Sequence, residues 1–458
     1  MRMPRRLLIP FCLMLGACMP VANPDTPTRA ASMDTTLPVM KTFSVPRPTP
    51  VRRSNADTAR DFMDLTFKLE SGLPLPSFSR FEGPIAVRVT GDAPAQLDRD
   101  LKRLVHRLRS EAAIDIQQVA PNQDARITIH AVSSGEIRRA LPMAACFVVP
   151  NVSSLAEYKR LRRSALLNWA QVKRREKIAI FIPNDSTPQE MRDCLHEELA
   201  QSLGPLNDLY RLSDSVFNDD NVHTVLTGFD MLVLRATYDR ELHSGMSRAE
   251  VARRIPGILA RINPQGQGIA PHPTSDTPRV WIEAIQTALG PGTKHAQRRR
   301  SALEALKVAS AMGWNDHRRA FSHYAMGRIL LHSDPDQARA EFEAAKRFYE
   351  YSPSAELHQA YAASQLAALE LARNNPERAM LLIGPHIDTA ARHENAALLS
   401  TLMMLRAKSL DLMGRVSEAR EVRMDSLGWA RYGFGADWAV RAKLREISSL
   451  SPLKGRRG

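Results

Sequence analysis

His196-Glu197-Glu198-Leu199-Ala200-Gln201-Ser202-Leu203-Gly204-Pro205-Leu206-Asn207-Asp208 decides how this 458-residue chain is read. The stretch closes a helix whose start is written just upstream. Thr187 is placed to cap it, Pro188 takes the first helical position, and Glu190 completes a capping box. Gly204-Pro205 ends it, because neither residue continues a helix. Read from His196, the spacing is His-Glu-x-x-Ala. A zinc site on one helix needs a second imidazole four residues on, so that both rings face one metal. Ala200 has no ligand atom, and this frame holds no zinc.

Upstream, the pattern alternates strand and helix. Ile85-Ala86-Val87-Arg88-Val89 predicts a strand. Asp92 to Ala113 predicts a helix, with Leu97, Leu101, Leu104, Val105 and Leu108 on one face. Residues 125–132, 146–149 and 177–183 read as three further strands. Downstream, helices are predicted near Gly228–Tyr238 and Arg248–Arg261, and an ordered helix is expected around Asp61–Leu65.

Shifted by one residue, the stretch gives Glu197-Glu198-x-x-Gln201-x-x-Gly204-x-x-Asn207-Asp208. This resembles the metzincin pattern His-Glu-x-x-His-x-x-Gly-x-x-His-Asp with every histidine replaced. Ser215-Val216-Phe217 resembles the Ser-x-Met turn of those enzymes, and Asp230–Tyr238 resembles their closing helix. The chain is similar here to exported bacterial zincin-like proteins of unassigned function, over about Asp61–Arg261. The resemblance places Glu198 at the general base, Glu197, Gln201 and Asn207 at the ligand positions, and Gly204 at the turn. Amide oxygens are poor zinc ligands, so bound water would not be acidified. No catalytic residue, metal or cofactor is therefore expected, with Glu198 the candidate base if the site is active. A hard cation such as calcium is the lesser alternative. Gly204, Asn207 and Asp208 are expected to hold the turn by hydrogen bonds, and Glu197 to pair with Gln201 across one helical turn. His196, His223 and His243 read as surface or helix-end histidines. Asp214, Asp219 and Asp220 read as a solvated acidic loop.

Beyond a linker rich in Pro and Gly, the text is all helix. Ala338, Ala379 and Ala419 each follow a turn, about 40 residues apart, a solenoid period. The first unit resembles a tetratricopeptide repeat, with Tyr324, Gly327, Ala338, Phe342, Ala345 and Pro353. Ile383 and Arg423 replace the aromatic in the later units. Stacked helix pairs present a concave face to peptides or proteins.

The N-terminus sets the compartment. Arg2, Arg5 and Arg6 precede an apolar run, Leu7–Leu15, that is too short to span a bilayer. Leu15-Gly16-Ala17-Cys18 resembles a bacterial lipoprotein signal, which implies cleavage before Cys18 and its acylation. Met19 in place of Asp favours the outer membrane. Cys12 leaves with the signal, so Cys146 and Cys194 remain in an oxidising compartment and are expected to form a disulfide. The net charge of +14 comes with clusters at Arg162-Arg163, Lys173-Arg174-Arg175, Arg298-Arg299-Arg300 and Lys454-Gly455-Arg456-Arg457. No zinc finger, RNA-binding signature or interleaved aromatics accompany them, which argues against nucleic acid. Anionic lipid or envelope polymer suits them better.

The expected architecture is an α+β zincin-like domain followed by an all-α helical-repeat (tetratricopeptide-like) domain. Residues 1–18 form the signal peptide, 19–55 a disordered tether, 56–262 the degenerate zincin-like domain and 263–278 a linker. Residues 279–450 form the helical repeat and 451–458 a basic tail. The expected function is a lipid-anchored periplasmic scaffold whose partners are the membrane, through Cys18, and an envelope protein or peptide. A metal-dependent peptidase or amidase with a Glu/Gln/Asn site is the alternative.

Overall fold

The computed structural model describes residues 37–43, 48–272 and 274–450. The expected signal peptide, Cys18 and the basic tail lie outside them. Helix α1 (Asn55–Phe67) opens the ordered body, with Ser54 accepting from the Asp57 N–H as its cap. There follow β1 (Ile85–Gly91), α2 (Ala95–Ala112), β2 (Ile116–Gln118) and β3 (Ile127–Val132). Then come α3 (Ser134–Ala140), β4 (Phe147–Pro150), α4 (Leu155–Leu161) and β5 (Ile178–Pro183). Helices α5 (Pro188–Leu203), α6 (Gly228–Thr237) and α7 (Arg248–Ile262) complete this part. The strands lie in the order β2-β1-β3-β5-β4. All neighbours run parallel except β4, which pairs antiparallel with β5 at the edge.

Why this sheet forms is visible in the strands. All six residues of β5 are buried, as a strand covered on both faces requires. The main core packs β1, β3 and β5 against α1, α2, α5, α6 and α7. A smaller core of Ile137, Phe147, Val152, Leu155 and Phe181 lies beneath α3 and α4 at the β4–β5 edge. Strand β2 and the two short helices α3 and α4 are additions to the elements legible in sequence. With three residues, β2 is too short to carry a periodic signal.

The rest is helical: α8 (Arg279–Leu289), α9 (His295–Ala311), α10 (His317–Leu330), α11 (Pro335–Glu350) and α12 (Glu356–Ala372). They are followed by α13 (Pro376–Ile383), α14 (His386–Arg392), α15 (Ala396–Leu412), α16 (Val416–Phe434) and α17 (Asp437–Ser448). Among the described residues no strand follows Pro183, and no helix is long and apolar enough to cross a membrane. Ala338, Ala379 and Ala419 are fully buried. A Cβ on Gly327 would lie 2.7 Å from the Phe342 ring, so α10 and α11 meet closely only because that position is glycine. Gly433 does the same for α16, where a Cβ would come within 2.5 Å of Ala397 on α15. Between them the period is broken, because Gly384-Pro385 splits the partner of α12 into α13 and α14.

Two expected boundaries differ from the structure. The tether does not run free to Asn55. The Lys41 N–H donates to the Gly428 carbonyl, Phe43 stacks on Trp429 at 4.5 Å, and Thr49 Oγ1 accepts from the Gly228 N–H. Apolar and backbone contacts outweigh the polar composition of this strap. Residues 263–278 do not separate two bodies either. His272 N–H donates to Asp57, Asn55 and Asn263 bond each other, and Arg318 holds the Ser275 carbonyl. The described residues from Pro38 to Leu450 form one compact unit.

The seam between the α/β part and the helices is polar and buried. Tyr432 Oη donates to Asp100, and Ser213 Oγ donates to the Pro353 carbonyl. At its centre lie four histidines from distant segments. The His223 ring is 6.0 Å from His358 and 5.4 Å from His393, and His317 is 6.1 Å from His358. Asp220 bonds His358 Nε2 at 2.7 Å, and His317 Nε2 meets the Tyr210 carbonyl at 2.6 Å. Burial pushes His317 down to about 4, with His358 and Arg318 adding to it and Asp316 opposing. Burial, then His223, Arg392 and His358, push His393 down to about 3. Depressed histidines stabilise a fold above their unfolded value of about 6.5 and cease to do so as pH falls through the folded value. These two rings are therefore expected to contribute a downward slope of several degrees in the thermal midpoint between pH 6.5 and 4, opposing the buried carboxyls near Glu70. Replacing His317 and His393 with asparagine should flatten that slope; an unchanged slope would refute the assignment to these rings.

Candidate functional site

Helix α5 begins as its sequence says: Thr187 accepts from the Glu190 N–H, and Glu190 accepts from the Thr187 N–H. It is then clamped at three places. Cys194 is joined to Cys146 beside the edge strand, with Cα atoms 5.9 Å apart. Arg192, fully buried, donates to the Glu394 carbonyl at 2.5 Å and to its carboxylate at 3.2 Å. Arg175 donates to the carbonyls of Gln201 and Gly204, each at 2.5 Å. Those are among the last carbonyls of the helix, which have no partner within it. The Trp169 ring lies 5.0 Å from the Arg175 guanidinium. Arg175 was grouped by sequence with Lys173 and Arg174 as surface charge. Its neighbours are exposed, but Arg175 is 1% exposed.

Five of the six motif residues divide into two kinds, and Gln201 stands between them. Gly204 and Asn207 hold the turn. A Cβ on Gly204 would lie 2.7 Å from Thr237 on α6, and Asn207 Nδ2 donates to the Asp64 carbonyl of α1 at 3.0 Å. Gln201 Nε2 donates to Asp208 at 3.4 Å, rather than pairing with Glu197 as its helical spacing predicts. Glu197, Glu198 and Asp208 form the second kind, carboxyls packed near Glu70. Burial, then Glu70 and Asp219, push Glu197 up to about 8. Burial, then Glu197 and Glu70, hold Glu198 well above the usual range. Burial, then Glu70, Glu197 and Asp219, do the same to Asp208. Glu198 Oε2 and Asp208 Oδ1 are buried without a hydrogen-bond partner. Among the described residues, no three His, Cys, Asp or Glu side chains are arranged to hold a metal ion.

The downstream turn is built on one carboxylate. Asp230, third residue of α6, accepts from Ser215 Oγ at 2.5 Å, the Val216 N–H at 3.2 Å and the Thr227 N–H at 2.7 Å. Phe217 is fully buried and its carbonyl accepts from the Leu209 N–H at 2.9 Å. This ties the turn to the loop that leaves α5.

Residues 55–257 match a protein family described as a protein of unknown function (DUF2927). No curated protein and no solved structure matches the chain. The matched segment starts at the first residue of α1 and ends within α7, so it takes in the sheet, α5 and the Ser215–Phe217 turn. The helices from α8 onward lie outside it.

Several side chains near the motif differ from their sequence reading. His196 is buried and accepts from the Leu226 N–H through Nδ1 at 3.0 Å. Burial, then Arg107, Arg192 and Arg103, hold it neutral. Of the three nearby histidines, His243 alone is exposed. The acidic loop is engaged rather than merely solvated. Asp214 pairs with Arg53, Asp219 accepts from Tyr210 and Gln286, and Asp220 bonds His358. Asp61 and Asp64 on α1 were not singled out by sequence, yet both accept from Arg211. Their spacing of three, which puts two acids on one side of a helix otherwise rich in buried apolar residues, was the available signal.

A carboxyl whose folded value is raised contributes its full stability below its unfolded value and loses it as pH rises through the folded one. For Glu197 that window runs from about 4.5 to about 8. Glu197→Gln should therefore raise the thermal midpoint by a few degrees at pH 9 and change it little at pH 4. Equal midpoints for variant and parent at pH 9 would contradict the crowding of this carboxyl.

Proposed function

We propose that the chain is a lipid-anchored periplasmic interaction protein, most consistent with outer-membrane attachment, in which a non-catalytic zincin-like region supports a tetratricopeptide-like peptide-binding region. Support for the first half comes from what the motif positions do. Of the three positions that resemble metal ligands, Asn207 is spent on the Asp64 carbonyl and Gln201 on Asp208. The third, Glu197, sits among carboxyls that favour its protonated form. Donation to a buried carbonyl fixes the orientation of the Asn207 amide, and its neutral oxygen is a poor zinc ligand beside imidazole and thiolate. The strand and helix order preceding α5, and the tight turn at Ser215–Phe217, fit the zincin-like outline.

The observation that carries the binding half is a groove of about 1100 Å³ on the helical part. Its walls come from α10, α12 and α15, with α17 across one end, and include Tyr324, Tyr361, Gln365, Ala368 and Thr401. Tyrosine and apolar walls interleaved with charged groups such as Arg328, Arg373, Lys443 and Glu446 can take both the side chains and the backbone of a peptide. Ala368→Trp fills this groove from a half-buried position. Cross-linking capture from intact envelopes, with the full chain as bait, should recover partner protein with the parent and lose it with Ala368→Trp at unchanged thermal midpoint. Equal capture by both would refute the groove as the binding surface.

A further inference from the structure

One surface carries a charge and an apolar content that the scaffold role leaves unexplained. Helices α3 and α4 both pack on the small core at the β4–β5 edge, and the charges of Lys159 and Arg139 both act on Glu136. Outward they present Arg138, Arg139, Lys159, Arg160, Arg162 and Arg163, all exposed. None of the six makes an ion pair among the described residues. The acids on the same helices are occupied. Glu136 accepts from Ser133, and Glu157 holds Lys177 and Ser153. Elsewhere arginines are neutralised: Arg53, Arg60 and Arg211 all pair with Asp61.

Apolar side chains protrude from the segments that directly follow the two helices, Leu141 and Met143 after α3 and Leu166 after α4. Met143 is 77% exposed, Leu166 57% and Leu141 40%. The Asn151 side chain donates to the Leu166 carbonyl at 2.7 Å, which holds that turn against the end of β4. A dissolved polyanion would use the cations and gain nothing from Met143 or Leu166. A bilayer uses both, since lipid phosphates attract the cations while apolar tips enter the headgroup boundary. We infer that this α3–α4 face docks on an anionic phospholipid surface.

The test uses the chain from Met19 onward, which omits the expected signal peptide and the acylated Cys18 so that only the protein's own surface can hold the membrane, in flotation with phosphatidylglycerol–phosphatidylcholine vesicles and with pure phosphatidylcholine vesicles. The parent should float with the anionic vesicles and stay with the soluble fraction beside the neutral ones. Arg160→Glu with Arg163→Glu should lower the partition coefficient at least ~tenfold. Met143→Ser with Leu166→Ser should lower it roughly three- to tenfold while leaving retention on dextran sulfate unchanged. These positions are exposed, and equal thermal midpoints would show that every variant folds. Equal flotation on both vesicle types overturns the inference. So does an apolar double variant that floats like the parent, since the face would then be a polyanion site.

Discussion

Arg175→Met is expected to lower the free energy of unfolding by about 3–5 kcal/mol, an effect in the range of losing a buried hydrogen-bond network. The guanidinium caps the end of α5 by donating to Gln201 and Gly204. Bonds from a charged donor contribute about 1.5–3 kcal/mol each, and a buried carbonyl left without a partner costs about 1–3 kcal/mol. Relief from burying the charge offsets part of this. Burial lowers Arg175 to about 10, so it is still charged at neutral pH, and among the described residues no carboxylate pairs with it. Arg175→Lys keeps the charge but not the fork, and should cost about half as much. Urea unfolding followed by circular dichroism measures both; a loss under about 1 kcal/mol for Arg175→Met would refute the capping role.

Removing the Cys146–Cys194 bond should cost about 4 kcal/mol, from the chain entropy of the 48-residue separation it closes. Beyond entropy, the bond fixes the outer edge of the sheet to the motif helix. Strand β4 has only β5 as a neighbour and pairs with it over four residues. Once freed from α5, that edge should fray before the rest unfolds. The paired variant Cys146→Ala and Cys194→Ala should show the full loss and be insensitive to reductant. The parent should approach it when reduced. Hydrogen exchange should quicken first at Phe147, Val148 and Val149. A reduced parent as stable as the oxidised one would contradict this account.

What could be read in the chain follows the range of the interactions. Helix α5 was legible almost to the residue because its signals are local: a threonine, a proline and a glutamate at one end, Gly204-Pro205 at the other. The main strands were legible because each is a short apolar run. The pairing of the two cysteines needed only a count and a compartment. Nothing local distinguishes Arg175 from Arg174, since burial is decided by the loop that returns over the sheet. Of the four seam histidines, His223 reads in sequence as a surface or helix-end residue and nothing local marks the others, because they come together from α10, α12, and loops on either side of the seam. Glu197 and Gln201 sit one helical turn apart, yet the longer-range reach to Asp208 takes the amide. The strap segments 38–43 and 48–53 are hidden by their proline-rich composition, and the contacts of Phe43 hold the first of them down.

Zinc content tests the central claim most directly. The purified full chain would be incubated with excess zinc, passed through gel filtration and measured by plasma mass spectrometry. The account predicts far less than one equivalent per chain, with no difference between the parent and Glu197→Ala. One tightly held equivalent, removed by chelator and absent from Glu197→Ala, would contradict it.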